Sequence, residues 1–279
     1  MVQGMRAAAR ASWVTLALAA TLAFALPFVA SMAGAAAAAP TLAPHRLGAI
    51  AAAVHTRPAP VRRPPTEETA PRPRHTGWDR ASVLVHVPSG GLVARAEPSA
   101  QSRAVGRVVA ASKYYGVPIV LWAIDVEHGW GRVELPYVWP RTQGWIRLDG
   151  LARDQTFLHG DGDLSEHRVR VYTHDELLFS APGATGAPSS PTPPGHYVVT
   201  DRVPFPSGGV LGTFAFGISG IQPHLPAGWS GGNQLAIHGT NAPSTIGTSA
   251  SAGCVRVSEA TLDALRPLLR LGTPVVIHA

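Results

Sequence analysis

One cysteine and one lysine are present in 279 residues. A lone Cys254 excludes an internal disulfide. Lys113 follows no glycine-rich loop, so a phosphate-cradling motif is absent. Twelve histidines are scattered without an HExxH pair or a Cys/His cluster at metal-ligand spacing, so no metal site and no cofactor is expected. In "HGDGDLSEH", Asp161 and Asp163 lack the later glutamate of a calcium loop, and the stretch reads as an interdomain turn.

The net charge of +6 does not indicate nucleic acid, because it is confined to one end. The first 80 residues hold nine arginines against Glu67, Glu68 and Asp79, whereas the remainder balances 14 basic with 14 acidic side chains. Arg6 and Arg10 precede the uncharged run "WVTLALAATLAFALPFVASM", which has the length and apolarity of a signal h-region or a membrane anchor. The adjoining "AGAAAAAP" suits signal peptidase, and no nearby cysteine could carry a lipid. Residues 1–40 are therefore expected to export the chain to the cell envelope, as a cleaved signal peptide or as an N-terminal anchor that would be its sole membrane contact. Residues 41–80, rich in Pro and Arg, have too few apolar side chains to offset the entropy of ordering and read as a disordered linker.

From residue 81 onward, short strands punctuated by Gly, Pro and Ser dominate. "SVLVHV", "GLVARAEPS", "AVGRVVAAS", "VPIVLWAI", "GWGRVEL" and "QGWIRLDGL" would close residues 81–155 into a small barrel. A second β pattern begins with "HRVRVYTHDELLFSAPGAT", two strands joined by a His-Asp turn, and continues with a strand at His196–Thr200. One helix is expected, with Ser258 as its cap, Glu259 at its positive end and Leu262, Leu265 and Leu269 on its apolar side. Pro267 should kink or end it before a closing strand in "GTPVVIHA".

The single thiol lies in "LAIHGTNAPSTIGTSASAGCVRVS", a run of small polar residues rather than an apolar stripe. Outside the cytoplasm an unpaired thiol risks oxidation and mispairing, so an exported chain that retains one is expected to use it. His238 ends an apolar strand sixteen residues before Cys254 and can take the thiol's proton or stabilise the thiolate. Gly253 lets a substrate approach closely, and amides around Gly253 and Cys254 could donate to an oxyanion. The residues alone indicate thiol-dependent acyl transfer. An inert buried thiol and a backbone-bonded strand-end histidine are the structural alternatives.

"IHGT", then "SAGCVRV", preceded by "PTPPG" and followed by a helix and "GTPVVI", resembles the catalytic domain of YkuD-type L,D-transpeptidases over residues 163–279. The paired "GWGRV" and "GWIRL" strands before it resemble bacterial SH3-like domains; Trp130 and Trp145 fit a barrel core and a ligand platform equally well. The fold implied is mostly β: a small SH3-like barrel, then an L,D-transpeptidase-type β-sandwich with one or two short helices. By position, the resemblance makes Cys254 the acylated nucleophile and His238 the base and acid. It gives Gly239 the carbonyl that orients the imidazole, Ser251 and Gly253 the turn before the nucleophile, and Arg256 a neighbouring basic position. Arg256 is left between a structural ion pair and a contact to a substrate carboxylate. Ala252 stands where many family members have histidine, a departure that bears on the donor pocket. The implied activity is 3→3 cross-linking of peptidoglycan stem peptides, which serve as donor and acceptor, through a cysteine thioester, with carbapenem-type β-lactams as inhibitors. An L,D-carboxypeptidase, a wall protein-attachment enzyme and a non-catalytic wall-binding protein are the rivals.

Overall fold

The computed structural model describes residues 79–205 and 209–279, which fall within one compact unit. The expected export segment and nearly all of the linker lie outside the described residues.

The N-terminal module contains β1 (Ser82–His86), β2 (Leu92–Arg95), β3 (Ala104–Val108), β4 (Val120–Ala123), β5 (Asp125–Glu127), β6 (Trp130–Glu134), β7 (Gln143–Arg147) and β8 (Arg153–Thr156). They form a five-stranded sheet ordered β3-β2-β7-β6-β5 and a three-stranded sheet ordered β4-β1-β8. Alternation along β1, β6 and β7 turns Val85, Val133 and Ile146 inward onto Leu121 and Leu148, giving the module its own apolar core. Trp130 and Trp145 are half-buried on adjacent strands.

The second sheet uses β9 (Leu158–Asp163), β10 (Arg168–Thr173), β11 (Glu176–Pro182), β13 (Gly195–Pro204), β14 (Phe214–Ile221), β15 (Gln234–His238), β17 (Val255–Arg256) and β18 (Pro274–His278). Two short strands, β12 (Thr185–Gly186) and β16 (Ser249–Ser251), pair beside it. The eight strands curl in the order β11-β10-β9-β18-β13-β14-β15-β17. One face carries Phe216, Ile237, Val255 and Val275 onto the helix α1 (Glu259–Leu265), which contributes Leu262 and Leu265 to the same core. Ser258 caps α1 as expected, its hydroxyl accepting the Thr261 N–H at 3.1 Å. The helix ends before Pro267, and Pro274 opens the closing strand.

One expectation is corrected. "HGDGD" is not a turn; it is β9, flanked by β10 and parallel β18. Gly160 and Gly162 lie under Val275 and Ile277, where a Cβ would sit 3.2 and 3.3 Å from their side chains. Asp161 and Asp163 point at Arg170, at 3.4 and 3.2 Å, and His278 reaches Asp161 at 2.8 Å. Buried carboxylates matched by charged partners can occupy a strand that composition alone reads as a loop.

The module packs directly on the second sheet. Ser82 bonds His159 at 2.9 Å, the Tyr137 N–H donates to the Ser219 carbonyl at 2.8 Å, and Trp122 lies 5.5 Å from the His196 ring.

Candidate active site

Parallel pairing of β15 with β17 builds the centre of the site. Ile237 is opposite Val255 and His238 opposite Arg256, so alternation sends Ile237 and Val255 into the core and His238 and Arg256 to the other face. Cys254, one step before β17, is level with Ala236 on that same face. The neighbouring β14 sets Ala215 beside His238 and Gly217 beside Ala236. These small residues floor a cleft of about 780 Å³ that His238, Cys254 and Arg256 line together. That volume suits a ligand of peptide size. Gly217 is required where it stands, because a Cβ would come 2.6 Å from Gln234 Nε2 and 2.9 Å from Asp201 Oδ2.

His238 is 4% exposed, and its Nδ1 lies 2.5 Å from the Gly239 carbonyl. A carbonyl only accepts, so Nδ1 carries the hydrogen and Nε2 keeps a lone pair. Burial pushes the His238 pKa down to about 4 and the Arg256 charge adds to this, against the opposing Gly239 bond. The imidazole is therefore a neutral base at neutral pH. Gly239 must be glycine: a Cβ would run into Glu259 Oε1 and sit 2.9 Å from Leu262 Cδ1. Glu259 in turn accepts from the Thr213 N–H at 3.3 Å, so the helix start holds the strand ends around His238.

The Cys254 thiol points toward the Gln234 carbonyl, 3.9 Å away. Burial raises its pKa, while a backbone hydrogen bond from Ala236 and the charge of Arg256 oppose the rise. The turn before it is self-bonded: Ser251 Oγ accepts the Gly253 N–H at 3.0 Å and donates to the Cys254 carbonyl at 2.5 Å. The Gly253 amide is thus engaged within the turn, which removes it from the oxyanion donors the sequence suggested. Gly253 has φ +116°, a region that favours glycine.

Arg256 leans weakly on the Ala250 carbonyl at 3.5 Å, and its buried Nε has no hydrogen-bond partner among the described residues. None of the described residues lining the cleft is acidic.

Gln222 escaped the sequence reading. It is buried, its Nε2 donates to the carbonyls of Pro191 at 2.9 Å, Ser190 at 3.2 Å and Ala252 at 3.3 Å, and its Oε1 accepts the His224 N–H at 2.9 Å. One amide thereby ties the "SPTPPG" segment to the turn before Cys254 and holds the carbonyl of Ala252. Its only local signal is a polar residue closing an apolar strand. Gln222→Ala is expected to strip donors from buried carbonyls and cost about 1–3 kcal/mol in chemical denaturation, while slowing modification of Cys254. Unchanged stability would mean that water replaces the amide fully.

Comparison with known proteins finds likenesses over the segment that carries this cleft. Residues 159–277 match the model of the YkuD family, the L,D-transpeptidase catalytic domain. The match covers β14, β15, β17, the turn before Cys254 and α1, and takes in β9 from His159 onward. A Bacillus licheniformis protein named as an L,D-transpeptidase, YkuD, is 33% identical over 114 residues, which are 41% of this chain and 61% of that protein. The chain thus spans about three-fifths of the length of this curated relative. Among solved structures, L,D-transpeptidase 3 of Mycobacterium tuberculosis shares 18% identity over 60% of this chain and 77% of its own, with a TM-score of 0.38. An L,D-transpeptidase of Mycobacterium smegmatis shares 16% over 57% and 89%, with a TM-score of 0.37.

Proposed function

We propose that this protein is a peptidoglycan L,D-transpeptidase that works outside the cytoplasm, with Cys254 as nucleophile and His238 as base. The observation that carries this reading is the β15–β17 register, which sets a thiol and a neutral, backbone-oriented imidazole on one face of one cleft. The family match over residues 159–277 and the apolar run after Arg10 support it.

In the first half-reaction the Cys254 sulfur bonds to the carbonyl carbon of the third stem residue as its proton passes to His238 Nε2. Collapse breaks the amide to the terminal D-amino acid, and Nε2 returns the proton to the leaving amine. The product is a thioester. In the second half-reaction the amine of a neighbouring stem attacks the thioester, gives its proton to Nε2, and expels the thiolate, which recovers that proton. The result is a 3→3 cross-link, formed without ATP because the cleaved amide supplies the acyl group. Arg256, a cation in a cleft with no carboxylate among its described lining residues, receives the carboxylate of the donor stem.

Incubation of the purified protein with a stem tetrapeptide, and of a separate sample with a carbapenem, tests this reading: a cross-linked dimer is expected from the first and an acyl mass on Cys254 from the second. A drug-free thiol with no dimer would sink the proposal. Arg256→Gln is expected to raise the KM for a donor with a free carboxylate roughly tenfold or more, the usual worth of a charge-assisted bond. The same change removes a cation that stabilises the thiolate, so iodoacetamide alkylation of Cys254 should move to higher pH. An alkylation curve that stays put would separate Arg256 from the thiol.

A further inference from the structure

The cleft has a wall that the catalytic sheet does not supply. The loop from Pro223 to Gly232 arches beside Cys254, its neck closed by the Gln222 N–H on the Asn233 carbonyl at 2.7 Å. Facing it, from the N-terminal module, Tyr114 and Tyr115 also line the cleft. Tyr114 Oη donates to Asn233 Oδ1 at 3.1 Å and accepts the Asn233 N–H at 3.2 Å, and Lys113 Nζ reaches the same Oδ1 at 3.3 Å. The ring lies so close to Gly232 that a Cβ there would sit 2.8 Å from Tyr114 Cζ.

The turn bearing Tyr114 is itself anchored. Ser112 closes it by donating its N–H to the Val117 carbonyl at 2.8 Å and accepting the Gly116 N–H at 3.2 Å, and Gly116 takes φ +66°. The Ser112 hydroxyl donates to Asp201 Oδ1, a carboxylate fully buried in the second sheet. Asp201 Oδ2 accepts from Gln234 Nε2 at 2.7 Å and from Thr200 Oγ1 at 2.8 Å. The carbonyl of that same Gln234 faces the Cys254 thiol. One polar network thus joins the module turn, the loop neck and the strand beside the nucleophile.

We propose that Tyr114 is a positioning residue for substrate recognition, a latch through which the N-terminal module holds the Pro223–Gly232 loop over the cleft and so sets the affinity for the stem peptide. This rests on the transpeptidase reading for the identity of the substrate but not for the latch itself. The small side of the contact is Gly232, which has no Cβ to hold the ring away, and the polar side is Asn233, which Tyr114 engages through both its backbone and its side chain. A latch of this kind acts on ligands large enough to touch the loop, whereas a small thiol reagent needs only the floor.

The test uses the full chain carrying Tyr114→Ala, Tyr114→Phe or Gly232→Ala, and the Tyr114→Ala/Gly232→Ala pair. Hydrogen exchange of residues 223–233 is expected to speed up about tenfold in Tyr114→Ala and less in Tyr114→Phe, which keeps the ring, with β13 and β14 unchanged. Turnover of a stem tetrapeptide should show the KM rising roughly five- to tenfold with a much smaller change in kcat. Gly232→Ala should loosen the loop in the wild-type background and have little further effect once Tyr114 is alanine. Unchanged exchange in the loop, or equal acceleration throughout the sheet, overturns the latch. Faster loop exchange with an unaltered KM overturns its role in recognition. A wild-type protein that turns over no stem peptide defeats the transpeptidase reading and the recognition role with it, while exchange still decides whether the latch exists.

Discussion

Cys254→Ser is expected to abolish acylation, by on the order of 10³-fold or more, in a protein that stays folded. The physical reason lies in the base. His238 is oriented by a backbone carbonyl rather than by a carboxylate, and burial lowers its pKa to about 4. So weak a base can assist a thiol, whose proton is comparatively easy to remove, far better than a hydroxyl that is many orders of magnitude less acidic. The fold should tolerate the change, since the thiol's contact to the Gln234 carbonyl is a long 3.9 Å and a hydroxyl can accept or donate in the same space. Intact mass after carbapenem treatment, dimer formation from tetrapeptide and thermal unfolding together make the measurement. A serine variant that still forms cross-links would remove Cys254 from the mechanism.

His238→Ala should slow acylation by about 10² to 10⁴, the usual worth of a positioned acid or base. The pH dependence of the wild type is the sharper test. A buried imidazole must be neutral to accept the thiol proton, and its depressed pKa keeps it neutral through the acidic range where a free histidine would already be charged. The acid limb of the acylation profile is therefore expected near pH 4 rather than near the 6.5 of an ordinary histidine. On the alkaline side the rate should climb further as the thiol, its pKa raised by burial, ionises without help. In His238→Ala the acid limb should vanish and only the alkaline rise remain. An acid limb at the ordinary histidine value in the wild type would mean that the imidazole is solvated or charged in the resting state, and that Cys254 waits as a thiolate.

The N-terminal module has its own apolar core and is also part of the cleft. The strand patterns before residue 156 and those after it read as independent, each with its own apolar set. Both cores exist, one around Val85 and Ile146 and the other around Phe216 and Ile237. Yet Ser112 reaches Asp201 and Tyr114 reaches Asn233 across the boundary, so a shortened chain lacking the module would lose a cleft wall along with any wall-binding surface.

Local chemistry was legible in the linear chain. Period-two alternation placed most of the strands, Ser258 and Pro267 bounded the helix, and the setting of Cys254 and His238 in their short motifs singled out two residues that line one cleft. These features depend on neighbours a few residues away, which a linear reading can see. Distant packing instead made "HGDGD" a strand, because its glycines are covered by Val275 and Ile277 and its aspartates are answered by Arg170 and His278. The same holds for Gln222, Asp201 and Tyr114, which serve the site through partners that lie from about 30 to about 120 residues away. A polar side chain's value comes from whether its hydrogen bonds are met when water is removed, and that depends on which distant strands the sheet brings beside it.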